Sequence, residues 1–168
     1  MPPSLQYDFM DACRRGDLQL VKELFTADNS LINAEDAKGF TPLIIAVYND
    51  QPEVTDFLLS NNAHVSSQDV SGNTALMGAA FKGYKSLVEK LLNAGADVDQ
   101  RNYQGATALT FAATFGQMEI AELLLQKGAD VFARDVRGKS PIDHAVIQEN
   151  EPMVVLLEGY IHNNNKDS

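Results

Sequence analysis

The stretch from Gly72 to Gln104, "GNTALMGAAFKGYKSLVEKLLNAGADVDQRNYQ", is followed at once by a second version of itself. From Gly105 to Arg137 the chain reads "GATALTFAATFGQMEIAELLLQKGADVFARDVR". Glycines 39, 72, 105 and 138 each stand 33 residues after the last, and alanines 46, 79, 112 and 145 keep the same step, as do Val65, Val98 and Val131. A period of this length points to a stacked solenoid, in which one unit cannot bury its own apolar face and neighbours complete the core.

The chemistry inside the period repeats as well. Thr41, Thr74, Thr107 and Ser140 open the matching tetrapeptides "TPLI", "TALM", "TALT" and "SPID". Each is expected to offer its side-chain oxygen to an unpaired amide of a helix's first turn. Pro42 and Pro141 fit the first helical position, where the missing N–H costs nothing. A short first helix follows, with Leu43, Leu76, Leu109 or Ile142 inward and alanine where helices must approach closely. Gly83 and Gly116 turn the chain back. The second helices carry apolar stripes, Leu87, Val88, Leu91 and Leu92 in one case and Ile120, Ala121, Leu123, Leu124 and Leu125 in the next. Gly95 and Gly128, and Asn62 in their place, end those helices in the left-handed conformation.

These residues resemble the ankyrin-repeat family, whose Thr-Pro-Leu-His-like helix start, mid-repeat glycine and terminal Gly-Ala-Asp are visible in "TPLI", Gly83 and "GADVDQ". The resemblance covers about residues 5–160 and implies an all-α solenoid of helix-turn-helix units with short hairpin-like turns between them. The chain reads as one domain over 1–168, with repeats at 5–37, 38–70, 71–103, 104–136 and 137–162 and a tail at 163–168, the chain after Tyr160 being expected to fray. The first repeat is degenerate, with one additional residue between Asp28 and Ile32. Departures from the pattern are Asp50 and Glu149 in place of the mid-repeat glycine, and Ile44, Met77, Thr110 and Asp143 in place of the family's histidine. That histidine usually ties neighbouring repeats, so its loss puts the tethering in question.

Composition narrows the function. The formal charge of −10, from 13 basic and 23 acidic residues, repels phosphate backbones and anionic lipid, so neither nucleic acid nor membrane is expected as a partner. No apolar run approaches the roughly 18 residues of a membrane span, no secretory signal stands at the start, and the lone Cys13 asks for no oxidising compartment. A cytoplasmic monomer is the expectation.

No enzyme and no cofactor are expected. His64, His144 and His162 have no metal-like spacing, and the neighbours Asp143 and His144 diverge by about 100° on a helix. The glycines do not form a phosphate loop, and Glu89, Glu119 and Glu122 read as a solvated outer face. Cys13 reads as a small buried residue; a reactive thiol would need it exposed and acidified by Arg14 and Arg15.

The family resemblance implies a protein partner docking on the turn tips and the concave face of the first helices. The variable positions there are Phe40, Asn73, Tyr103, Gln104 and Arg137 at the turns and Tyr48, Phe81, Lys82 and Phe115 at the first-helix ends. Tyr48, Phe81 and Phe115 are expected to form one row, bordered by Tyr103, because aromatic residues at exposed positions favour interfaces. The alternatives are a small thiol-reactive protein using Cys13, and an accessory protein for a redox or haem enzyme, since some short bacterial ankyrin proteins resemble helpers of catalases.

Overall fold

Each first helix begins where the sequence places a hydroxyl. In the computed structural model, which describes residues 4–166, α3 (Pro42–Tyr48), α5 (Ala75–Lys82) and α7 (Ala108–Thr114) follow Thr41, Thr74 and Thr107. The threonine oxygens accept the amides of Ile44, Met77 and Thr110 at 3.2, 3.3 and 3.3 Å. Ser4 caps α1 (Leu5–Arg15) in the same manner. The last case adds a reciprocal bond. At α9 (Pro141–Ile147), Ser140 and Asp143 form a capping box, in which the Ser140 N–H and hydroxyl donate to Asp143 Oδ2 at 2.8 and 3.0 Å.

The second helices are α2 (Leu18–Ala27), α4 (Pro52–Ser60), α6 (Lys85–Asn93), α8 (Met118–Gln126) and α10 (Glu151–Lys166). The reversal between the helices of each pair needs a left-handed residue, Gly16, Asp50, Gly83, Gly116 or Glu149. Asp50 and Glu149 take φ of 54° and 55° without the freedom of glycine. The additional residue of the first repeat falls in a 3-10 turn at Asn29–Asn33.

Two layers result: α1, α3, α5, α7 and α9 pack side by side, and α2, α4, α6, α8 and α10 lie behind them. Helices this short are marginal alone, so their stability comes from packing. Ala12, Ala46, Ala79, Ala112 and Ala145 have no exposed surface at the contacts of the first layer. Leu43, Leu76 and Leu109 form one buried row and Leu58, Leu91, Leu124 and Leu157 another.

The turns between pairs share one device. Oδ1 of Asp36, Asp69, Asn102 and Asp135 each accepts two backbone amides, two and four residues on. Successive tips are then laced by Val70 N–H to Lys38 O, Tyr103 N–H to Ser71 O and Val136 N–H to Gln104 O, at 3.0, 3.1 and 3.0 Å. The turns are hairpin-like, and no strand occurs among the described residues.

Tethering survives the loss of the family's histidine by other means. Asn33 Oδ1 accepts His64 N–H, Ser66 Oγ accepts Asp97 N–H and Asp99 Oδ1 accepts Asp130 N–H, one repeat to the next. Gln51 Nε2 donates to Arg14 O and Gln117 Nε2 to Phe81 O. Of the four residues replacing the histidine, Ile44, Met77 and Thr110 are buried, and Thr110 and Asp143 bond back to their own caps.

The expected tail is a correction. α10 continues through Lys166, past the repeat end expected at residue 162. Ile161 stands where Gly95 and Gly128 end the earlier helices, so no left-handed stop is present. Residues 167–168 of the expected tail lie outside the described residues, as do 1–3.

A left-handed conformation costs a residue with a Cβ roughly 1–2 kcal/mol. Glu149→Gly should therefore stabilise the protein, by about 0.5–1 kcal/mol after the greater chain entropy of glycine is deducted. Asp50→Gly should gain less, since aspartate tolerates this region better. Urea unfolding checks both, and a loss of stability in Glu149→Gly would contradict the account.

Candidate functional site

The ends of the first helices bring the expected aromatic residues together. Tyr48 and Phe81 lie parallel, with centroids 6.5 Å apart and planes at 3°. Phe115 meets Phe81 edge-on at 4.7 Å. Phe111 joins them at 6.4 Å from Phe81 and 6.5 Å from Phe115, a member the sequence reading did not include. Its signal was present: Phe111 and Phe115 are four apart on one helix and so share a face. Tyr48 and Phe115 are 45% and 50% exposed, whereas Phe81, held from both neighbouring repeats, is half-buried.

Beside this cluster opens a groove of about 560 Å³. Tyr48, Phe81 and Phe111 wall it with Ile45, Phe40 and Asn73 lie toward the tips, and Met77 and Gly78 belong to the helix beneath. Gly78 explains the hollow. It occupies the position filled by Ile45, Phe111 and His144 in the second, fourth and fifth repeats, and a Cβ built there would lie 3.4 Å from Tyr48 Cδ2. Glycine inside a helix costs about 1 kcal/mol relative to alanine, and here it leaves space between two aromatic walls.

Not all the expected residues converge. Lys82 does, its Nζ 4.6 Å from the centre of the Tyr48 ring, in cation–π geometry. Asn73 Oδ1 accepts from Asn102 Nδ2 at 2.9 Å, which fixes it at the groove's edge. Tyr103 is 64% exposed on its tip and folds against Gly72, outside the groove's lining. Gln104 serves the tip lacing through its carbonyl. Arg137 sits on a separate, shallow depression with Lys139, Val146 and Ile147.

The ionisable groups add detail that spacing did not disclose. His144 pairs with Asp135, nine residues back and not with its neighbour Asp143, donating from Nε2 to Oδ2 at 2.7 Å. Burial alone would raise the Asp135 pKa, but the backbone amides of Lys139 and Arg137 and the His144 imidazole outweigh it and hold the carboxyl below its ordinary value. Asp143 is lowered too, chiefly by the Ser140 amide. Cys13 has no exposed surface, and burial pushes its thiol up to about 12 against the pull of Arg14. The thiol-reactive alternative required the opposite on both counts, so it is withdrawn. Among the described residues no three His, Cys, Asp or Glu side chains are grouped to hold a metal ion, and no helix is long and apolar enough to cross a membrane.

A family model described as ankyrin repeats, in three copies, matches residues 9–102 and again 77–167. The chain belongs to the ankyrin-repeat family. A search of curated proteins returned no relative. In this ankyrin protein the groove lies on the face of first helices and turn tips, the face to which the sequence resemblance assigns partner binding.

The pH dependence of the last ankyrin turn follows from its carboxylates. A depressed pKa adds stability that is fully present above the unfolded value of 3.8 and is lost as pH falls through the folded value. Urea unfolding should thus give constant values for this contribution between pH 7 and 5 and a decline below about pH 4. Asp135→Asn, whose amide oxygen can order the turn as Asn102 does, should flatten that decline. An unchanged acid limb in the variant would contradict the assignment.

Proposed function

We propose that this ankyrin protein is a non-catalytic binding module, an adaptor, inhibitor or scaffold, that grips a protein partner along the first-helix groove and turn tips. The observation that carries the reading is the contiguous aromatic cluster Tyr48–Phe81–Phe111–Phe115, open to solvent beside an apolar groove. Rigid aromatic side chains supply large contact area at low entropic cost, and such residues dominate interface energies. The tips add Val70, Tyr103 and Val136, exposed at one position of successive turns. The acidic balance favours a protein partner over nucleic acid. We place the protein in the cytoplasm as a monomer, in keeping with its single unpaired cysteine.

The test uses the two most exposed members of the cluster. Tyr48→Ala combined with Phe115→Ala should weaken capture of partner proteins from native extract at least about tenfold, since an interface aromatic contributes about 2 kcal/mol or more. The double variant should still unfold cooperatively, with Tm lowered by no more than about 6 °C. Glu89→Ala with Glu122→Ala, on second helices, should leave capture intact. Unchanged capture by the folded aromatic variant would reject this surface.

A further inference from the structure

The turn residue at 36, 69, 102 and 135 and the first-helix residue nine positions later form a repeated pair. In the last repeat the pair is filled: Asp135 Oδ1 orders the turn and Oδ2 receives His144 at 2.7 Å. At Asp36 and Asn102 the facing residues are Ile45 and Phe111. Asp69 faces Gly78. Its Oδ1 accepts Ser71 and Asn73 N–H at 2.8 and 3.0 Å, while Oδ2 accepts from no described residue. Asp69 is only 8% exposed, and it lines the groove.

Oδ2 is not sealed from water, so the one open oxygen of an otherwise enclosed carboxylate looks into the groove, where a donor that enters can take the place of that water. The same turn in the last repeat supplies that donor from within the chain, and the third repeat has a notch in its place. Around the notch stand Tyr48, Phe81 and Phe111, whose ring faces attract a cation and stack on a planar one. Two cations already border the groove, and neither bonds Asp69. Arg14 is held by Asp11 at 3.1 Å, and Lys82 lies over Tyr48.

We propose that the notch over Gly78 receives one arginine side chain of a polypeptide partner, its guanidinium donating to Asp69 Oδ2 and its stem lying against the aromatic wall of Tyr48, Phe81 and Phe111. Arginine fits better than lysine because its planar head can donate and stack at once. The chain's net charge of −10 draws basic segments toward it. The inference rests on the protein-binding reading above and narrows it to a partner's chemistry.

Isotope-labelled protein titrated with the blocked peptide Gly-Leu-Arg-Leu-Gly, and with norleucine in place of arginine, tests it by NMR. The arginine peptide should give saturable shifts at the amides of Ser71, Asn73 and Gly78. Affinity should drop at least about tenfold with norleucine, and equally on Asp69→Asn, whose amide oxygen keeps the turn. Gly78→His, which restores the arrangement of the last repeat, should stay folded and lose the peptide by a similar factor. Equal binding of the norleucine peptide around Tyr48 and Phe81, or Asp69→Asn without effect, overturns the arginine site and leaves the groove as a protein-binding face. The absence of saturable shifts up to ~5 mM arginine peptide also overturns the site. Shifts confined to the second helices would count against both readings.

Discussion

Consecutive first helices pack directly on one another, each with a wholly enclosed alanine at the same repeat position, and this close packing governs the rest of the molecule. Ala12, Ala46, Ala79, Ala112 and Ala145 are wholly enclosed where α1, α3, α5, α7 and α9 pack. A larger side chain at any of them would wedge two helices apart, and helices of seven or eight residues such as α3, α5 and α7 have little stability to spare. Behind them the leucines at 58, 91, 124 and 157 fill the gap to the second layer. The stack is therefore locked in register, with each repeat position falling in a row.

That register turns sequence differences into surface relief. Where the row 45, 78, 111, 144 holds isoleucine, phenylalanine or histidine, the face is filled, and where it holds Gly78 a groove opens. The turn aspartates are likewise one device with different outcomes. Oδ1 always orders the loop, and what happens at Oδ2 depends on the residue opposite, so His144 closes the last turn while Asp69 stays open toward the groove. Cation and ring pairs such as Lys82 with Tyr48 fine-tune a shape that backbone packing has already determined.

The solenoid was legible because its signals are local and recur: a hydroxyl before a helix, an alanine within it, a left-handed residue after it. The aromatic row of Tyr48, Phe81 and Phe115 was legible for the same reason, since a known period assigns positions to faces. Phe111 escaped because it stands a turn before the helix end, at the position of Ile45 and Gly78, although its spacing of four from Phe115 puts both rings on one face. The Asp135–His144 pair escaped because the two residues belong to a turn and a helix, nine apart, where helical spacing gives no guide. Ser140 keeps its capping place and adds a bond that spacing did not disclose, its N–H and hydroxyl donating to the Asp143 carboxylate three residues on. Tyr103 was placed correctly on a tip, but its ring lies against Gly72 and not over the groove.

The proposed binding face is that of the first helices, with its aromatic cluster and groove. Hydroxyl-radical footprinting of the protein alone and with its captured partner tests that proposal directly. Tyr48 and Phe115, both well exposed in the free protein, should lose most of their labelling in the complex, while Phe132 and Val155, exposed elsewhere, should keep theirs. Protection of Phe132 and Val155 with Tyr48 and Phe115 still labelled would contradict it.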